Sequence, residues 1–458
     1  MKISLIYPPL IFPYKNQIVY SHCIGLRSLS SFLKMSGKHE INFIDALMLG
    51  FSNVEKYANG FLVGLETSEI VAKIPPDTEL IGISAPFSLL APIVHDIIDA
   101  IKVQLPHTKL VMGGVYPSTQ PHFALTSKAD MIVVGEGESA LKEISDGKDP
   151  STIPGVYTRN SAEREFFPSA QMVEDLDSLP FPDYSIPMMD EYFKLSPRNV
   201  RGRTASIHTS RGCPFHCEFC SIHPVYGRKW RGRSAKGVIE EIRYLVSRHS
   251  INQLEIEDDN FTLKRSRTIE ILEGIIDLNE SGINLSWRTP NGIRIDTLDE
   301  EVIALIQKSN CSSITLALEH GDQEMIGIMD KNLDLDKAFN IIRLLIKYGI
   351  PNITLFLIVG YPGETKERFE NSLKYLNKVR MLGGNISVCV NIAQPYPGTK
   401  LLARCRAEGY IVNRDFDNFL VRRDMTSSRH FVTVVTPDFD EQEVLRRKQF
   451  LEGIFSST

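Results

Sequence analysis

Twice along its length the chain alternates short apolar runs with amphipathic stretches, and this alternation limits its fold more than any other feature. In the first stretch strands are predicted at Lys2–Tyr7, Glu40–Asp45, Leu80–Ser84, Lys109–Met112 and Met131–Val134. Helices are predicted at Gly25–Met35, Val54–Ala72, Ala91–Val103 and Glu138–Ile144. β-rich runs alternating with helices specify a parallel sheet covered on both faces. From Arg203 the pattern resumes, with strands at 203–209, 252–257, 284–288, 312–318, 352–359 and 386–393 and helices near 236–249, 265–281, 299–309, 334–348, 364–381 and 399–408. Six βα units predict a partial version of the eight-unit barrel, with active residues at the carboxyl ends of its strands. Pro168, Pro180, Pro182 and Pro187, with Asp and Ser between them, give the intervening segment the composition of a linker. Asp440–Phe455 reads as one amphipathic helix through Val444, Leu445, Phe450, Leu451 and Phe455, expected to cap the barrel or line the substrate entrance. The expected organisation is α/β throughout: a doubly wound (Rossmann or flavodoxin-like) domain over 1–148, a linker over 149–200, a partial (βα)6 TIM-type barrel over 201–410 and a helical or mixed extension over 411–458.

A chain of 458 residues suits two to three domains. A net charge of −5 argues against a nucleic-acid binder working through bulk electrostatics. No run of eighteen apolar residues is present, so no membrane span is expected. Pro8, Pro9 and Pro13 break any signal-peptide helix in the mildly apolar first residues. Cys23, Cys311, Cys389 and Cys405 are scattered singly, which suits a reducing cytoplasm better than a disulfide framework.

The chemistry is concentrated at residues 211–223, RGCPFHCEFCSIH. Cys213, Cys217 and Cys220 stand at spacing C-x3-C-x2-C on a loop expected directly after the first barrel strand. Three thiolates hold three irons of a cubane and leave the fourth open to a non-protein ligand. Phe219 is placed to offer an apolar face to a bound heterocycle. The alternatives are a zinc site completed by His216 or His223, and unrelated buried thiols. The spacing and the aromatic resemble the cluster loop of the radical S-adenosylmethionine (SAM) superfamily. That resemblance implies a 4Fe–4S cluster whose open iron chelates SAM, with a 5′-deoxyadenosyl radical formed on one-electron cleavage.

The strand ends of residues 1–148 read YPP, DALMLG, SAPFS, GGVYPS and GEGE, rich in Gly, Ser and Pro. Ligands of such sheets sit at those ends. In that order the segments resemble the cobalamin-binding domain found ahead of many radical enzymes. The resemblance assigns Asp45, Leu47, Ser84, Gly113, Gly114, Gly135 and Glu136 to cobalamin. Leu47 occupies the place of the histidine that other cobalamin proteins use as lower cobalt ligand, and Leu cannot coordinate cobalt. The domain is then either an adapted cobalamin site with an open or water-filled lower face, or a vestigial one.

The other barrel ends carry further candidates. Asp258 and Asp259, in a DD-x-F stretch similar to that of cobalamin-dependent radical enzymes, either accept hydrogen bonds from SAM or cap a helix. Arg288 and Arg294 either pair a substrate or SAM carboxylate or bond to acids of the second strand. Glu319 is read as a ribose or sulfonium contact, against a structural salt bridge. His320, where the family commonly has serine, receives no role. Gly360, in a segment resembling the family's GYPGET, would let adenine approach the backbone. Arg201, Arg203, Arg228, Lys229, Arg231 and Arg233 either meet a flavodoxin- or ferredoxin-type reductant or form a solvated face.

The resemblance implies a cobalamin-dependent radical SAM enzyme, most often a methyltransferase that uses methylcobalamin and a 5′-deoxyadenosyl radical on an unactivated carbon of a small-molecule or peptide substrate. It requires the carboxyl end of the N-terminal sheet to face the barrel mouth. The alternatives are a cobalamin-containing radical cyclase or rearrangement enzyme, a nonradical methylase, and an iron–sulfur binding or sensor protein without turnover.

Overall fold

The computed structural model describes residues 1–20, 23–57, 60–195, 202–412 and 432–455. Two compact units emerge. One holds the described part of Met1–Asn199 with Ser221–Gly227; the other holds the described parts of Val200–Cys220, Arg228–Asn413 and Ser428–Thr458.

The strands of the first unit are β1 (Lys2–Tyr7), β2 (Leu10–Phe12), β3 (Glu40–Asp45), β4 (Val54–Tyr57), β5 (Gly60–Val63), β6 (Leu80–Ser84), β7 (Lys109–Gly113), β8 (Met131–Val133) and β9 (Val156–Tyr157). The main sheet runs β3-β1-β6-β7-β8-β9, parallel except for the antiparallel edge β9. Taking only its parallel strands, this is the doubly wound order 2-1-3-4-5, in which the chain changes direction between β1 and β6. Ile3, Leu5, Ile6, Leu80, Ile81, Leu110 and Met112 are all buried, as strands covered on both faces must be.

The helix predicted over Val54–Ala72 is a correction. Val54–Tyr57 and Gly60–Val63 pair as an antiparallel hairpin, β2 joins it to make a three-stranded sheet, and only Thr67–Ala72 is helical. The Asn-Gly dipeptide in the sequence between these two short runs, a hairpin signal, outweighs the helical reading there. Residues 149–195 also gain structure. They supply β9, and Ala170 donates its N–H to the Val134 carbonyl at 2.7 Å, so the Pro-rich segment lies against the sheet.

The second unit contains β10 (Thr204–Ile207), β11 (Ser210–Arg211), β12 (Arg231–Gly232), β13 (Gln253–Ile256), β14 (Ser286–Ile293), β15 (Cys311–Glu319), β16 (Ile353–Val359) and β17 (Ile386–Ile392). Six of these form one parallel sheet in sequential order, β10-β13-β14-β15-β16-β17. Its two faces differ in chemistry. Ala205, Leu254, Trp287, Ile314, Leu316, Leu355 and Ile392 are buried on the helix-covered side. The register places Ser206, Glu255, Arg288 and Ser313 in one row of the other face, and Thr354 beside Ser387 in the next. Helices follow the strands with regular N-caps. The side chains of Ser234, Asp299, Asp334, Thr365 and Thr399 each accept the backbone N–H three residues on, a contact contributing about 1 kcal/mol apiece. Among the described residues no helix is long and apolar enough to cross a membrane.

Candidate functional site

β10 runs into the cysteine loop, and a two-stranded ladder pairing Ser210 with Gly232 and Arg211 with Arg231 closes the loop at its neck. Asp258, past the end of β13, holds this neck. Its carboxylate accepts from the Thr209 N–H at 2.6 Å, the Thr209 hydroxyl and the Ser210 hydroxyl at 2.6 Å. Arg267 braces the other side through the carbonyls of Thr209 and Arg233. Asp258 is therefore engaged by the turn itself. Asp259 faces the loop, accepting from the Gly212 N–H. Burial first, and then the charge of Asp258, push its carboxyl up to about 7.

Cys213, Cys217 and Cys220 are all partly exposed and free of disulfides. Burial pushes the thiols of Cys213 and Cys217 up; Lys331 and then Arg294 pull that of Cys217 back. Among the described residues no three His, Cys, Asp or Glu side chains are set to hold a single metal ion. Thiolates that each take a different iron of a cubane need not converge on one point. The side chain of His216, a zinc-ligand candidate, lies against the Arg228 guanidinium. The donor set fits a 4Fe–4S cluster held by three cysteines.

Cationic groups surround that loop. Arg294 stacks on the Phe215 ring, its guanidinium carbon 3.6 Å from the centroid, and forks onto Asp296 at 2.9 and 2.8 Å. Its Nη2 also donates to the Lys331 carbonyl at 2.9 Å. Lys331 Nζ meets Glu319 Oε1 at 2.9 Å with both side chains buried. Glu319 is held at φ +70°, where β15 slips register against β16. A non-glycine residue in that region stores strain, which clusters at functional sites. Glu319 thus has the salt-bridge partner that the sequence left open, and Lys331 went unnoticed because nothing in its local sequence sets it apart. Arg288 likewise donates to Glu255 of β13 through Nε at 2.7 Å and through Nη2. Glu255 is the second-strand acid expected as one of its two partners.

The turn after β16 is tied to Glu364 and to the C-terminal helix. The Gly360 N–H donates to Glu364 Oε2 at 2.8 Å, and a Cβ on Gly360 would meet Val444 Cγ1 at 2.9 Å. Its missing side chain admits the close approach of the C-terminal helix Glu441–Ile454. The C-terminal helix, expected to cap the barrel or line its entrance, packs on β17, on the helix Lys366–Arg380 and on the turn after β16. His320 has a role too: its Nδ1 accepts from the Asp322 N–H at 3.1 Å, which leaves Nε2 to donate to Glu364 Oε1 at 3.1 Å.

Of the basic run around the loop, Arg228 and Lys229 are exposed. Arg231 is buried, Arg233 pairs with Glu241, and Arg203 donates to the His249 carbonyl. Arg201 lies outside the described residues. The run is therefore not one solvated face.

In the first unit, Ser84 and Gly113 are register partners at the carboxyl ends of β6 and β7, beside the switch point. A Cβ on Gly113 would meet nothing within 4 Å, whereas one on Gly114, at φ +113°, would strike the Ala85 carbonyl oxygen at 2.7 Å. The open cradle beside Ser84 fits a bulky planar cofactor. Gly135 turns its free side to Ser169, and Glu136 is buried and accepts from the Val173 N–H at 2.9 Å. Asp45 is enclosed, accepting from the Met48 N–H, the Tyr20 and Tyr192 hydroxyls, each at 2.9 Å, and the Cys23 thiol at 3.3 Å. Leu47 is fully buried. The structure brings Ser84, Gly113 and Gly114 to the cradle and puts Asp45, Leu47, Gly135 and Glu136 to work inside the fold.

One unit carries a three-cysteine loop at the carboxyl end of a six-stranded parallel sheet, and the other a doubly wound sheet with a glycine cradle. Residues 207–376 match the radical SAM superfamily and residues 19–145 the B12 binding domain. The chain is a radical SAM enzyme that also carries a B12 binding domain, and these domains bring a 4Fe–4S cluster, SAM and cobalamin. It is 27% identical over 446 residues to an uncharacterized methyltransferase of Pyrococcus horikoshii, covering 94% of this chain and 89% of that one. It is 26% identical over 431 residues to the cytidylyl-2-hydroxyethylphosphonate methyltransferase of Streptomyces wedmorensis, covering 85% and 78%. It is also 26% identical over 359 residues to the anaerobic magnesium-protoporphyrin IX monomethyl ester cyclase of Rubrivivax gelatinosus, covering 76% and 60%. Its fold is similar to that of the radical SAM methyltransferase TsrM of Kitasatospora setae, with cobalamin and a 4Fe–4S cluster bound (TM-score 0.69, 17% identity, 87% of this chain and 76% of that one).

Proposed function

We propose that the chain is a cobalamin-dependent methyltransferase that acts on an unactivated carbon of a small-molecule or peptide substrate. One observation carries the reading: a three-cysteine loop with an acid-lined mouth and a glycine cradle at a sheet switch point occur in a single chain. Relatives aligned over most of its length and named methyltransferases support it.

When bound, the cluster and SAM supply a substrate-abstracting radical and cobalamin supplies the methyl group. The chain's own residues hold and enclose. Cys213, Cys217 and Cys220 would ligate three irons, and Asp258 and Arg267 keep the neck of their loop in place. Asp259 and Glu319 offer acceptors near the cluster, with Lys331 and Arg294 balancing the local charge. Phe219 gives an apolar face to the adenosyl group. Ser84, Gly113 and Gly114 let a corrin ring approach the backbone. Leu47 would offer cobalt no ligand, so this position would not hold cobalamin through its metal. Electrons come from a flavodoxin- or ferredoxin-type donor in the cytoplasm.

Anaerobic reconstitution with iron, sulfide and cobalamin, followed by SAM and dithionite, tests the proposal. The expected products are 5′-deoxyadenosine and methylcobalamin. 5′-Deoxyadenosine from protein that takes up no cobalamin overturns methyl transfer. Methylcobalamin without the nucleoside indicates a nonradical methylase, and neither product indicates a cluster-bearing sensor. The second reading is a radical cyclase, favoured by the match to the magnesium-protoporphyrin cyclase. It predicts 5′-deoxyadenosine with no methyl transferred to any product.

A further inference from the structure

Glu218 stands between the second cysteine of the loop and Phe219, and it reaches three strand-to-helix connections at once. Its N–H donates to the Met329 carbonyl at 2.9 Å, in the connection after β15. Its carbonyl accepts from the Leu401 N–H at 3.0 Å, in the helix Lys400–Ala407 after β17. Its carboxylate accepts from the Tyr361 hydroxyl at 2.6 Å, in the turn after β16, and lies 3.5 Å from Arg404 Nη1. Tyr361 is fully buried and meets the Phe219 ring edge-on at a centroid distance of 6.5 Å.

The neck ladder of β11 and β12 fixes only the base of the loop. Ordering a residue costs roughly 1–2 kcal/mol of backbone entropy, so cysteines far from the neck need anchors of their own if iron is to find them in place. Groups that orient metal ligands are as much part of such a site as the ligands. We propose that the Glu218 side chain is the positioning group of the cluster loop, clasping the segment from Cys217 to Cys220 to the end of β16 through Tyr361, beside the backbone contacts to Met329 and Leu401 that any residue here would make. Through Tyr361 the clasp also joins the loop to the turn at Gly360, so the two hold position together.

The clasp rests on the cluster reading of the three cysteines, and one experiment separates the two. Wild type, Glu218→Ala, Glu218→Gln and Tyr361→Phe are loaded anaerobically with iron and sulfide. The rate of iron release to a chelator is then read beside the thermal midpoint of each cluster-free chain. A charge-assisted hydrogen bond lost from the loop should speed release from Glu218→Ala roughly tenfold. Tyr361→Phe should show a smaller rise, and Glu218→Gln, which still accepts from Tyr361, should release near the wild-type rate. Midpoints should change little beside the change in release. Release at the wild-type rate from Glu218→Ala overturns the clasp, as does a Gln variant no better than Ala or a rise matched by an equal loss of fold stability. Should Glu218→Ala fail to fold, Tyr361→Phe decides alone: faster release supports the clasp and unchanged release overturns it. Wild-type protein that takes up no iron overturns the cluster reading instead.

Discussion

Arg447 of the C-terminal helix places Nη1 3.2 Å from Glu364 Oε2 and 2.7 Å from the Glu364 carbonyl oxygen, with both side chains shut away from solvent. The guanidinium lies between the rings of Phe369 and Phe439, at 5.2 and 5.5 Å from their centroids. Glu364 also takes the Gly360 N–H and His320 Nε2, so one carboxylate ties the end of β16, the end of β15 and the last helix together.

Arg447→Ala should therefore be severe. It leaves a buried carboxylate without its cation, and breaking such a pair costs about 3–5 kcal/mol. Denaturant titration of the cluster-free chain measures the loss. Arg446→Ala, one residue away on an exposed face, should cost no more than about 1 kcal/mol. Equal losses from the two variants would contradict the account.

Much of this architecture was legible. All six barrel strands and the five parallel strands of the first sheet fall where period and β-branched content put them. The cysteine triad was legible because its signal is local: three ligands within eight residues. Glu364, His320 and Arg447 meet across more than eighty residues of chain, and no pattern around Arg447 separates it from its exposed neighbour Arg446. Lys331 beside Glu319 was hidden for the same reason. Gly360 announces a close approach without saying what approaches, and the contact with Val444 of the last helix could not be read from its sequence. The strands at 54–63 were missed where an apolar, turn-containing run was joined to the short helix that follows it.

Adjacent glycines of the cradle should separate cofactor binding from folding. Gly113→Val adds bulk where nothing lies within 4 Å and should leave the thermal midpoint nearly unchanged while cobalamin uptake falls. Gly114→Ala puts a Cβ at φ +113° and 2.7 Å from the Ala85 carbonyl oxygen, and strain of that kind costs about 1–3 kcal/mol. Visible absorbance per folded chain reads the first variant and the melting curve reads the second. A Gly113→Val protein that binds cobalamin as wild type does would remove the cradle from the site.

Leu47 offers the complementary test. It is fully buried, so Leu47→Ala should cost about 2–5 kcal/mol through lost contacts and the cavity left behind. Because leucine gives cobalt no ligand, cobalamin bound per folded chain should stay at the wild-type level, with an unchanged visible spectrum. A spectral change in the cobalt bands would mean that this side chain touches the lower face after all.

The last expectation concerns pH and the carboxyl group of Asp259. Burial, followed by the charge of Asp258, raises it from 3.8 to about 7 in the folded, cluster-free chain. The folded state then binds more protons than the unfolded state between those values, so the contribution of this group to stability falls as pH rises from about 4 to about 7. Asp259→Asn should remove that slope, making the variant more stable than wild type near pH 7.5 and leaving the two alike near pH 4. Urea midpoints across this range measure the difference in chains prepared without iron. Parallel pH profiles for the two proteins would mean that Asp259 titrates as an ordinary surface acid and that the mouth of the cysteine loop is wetter than its geometry indicates.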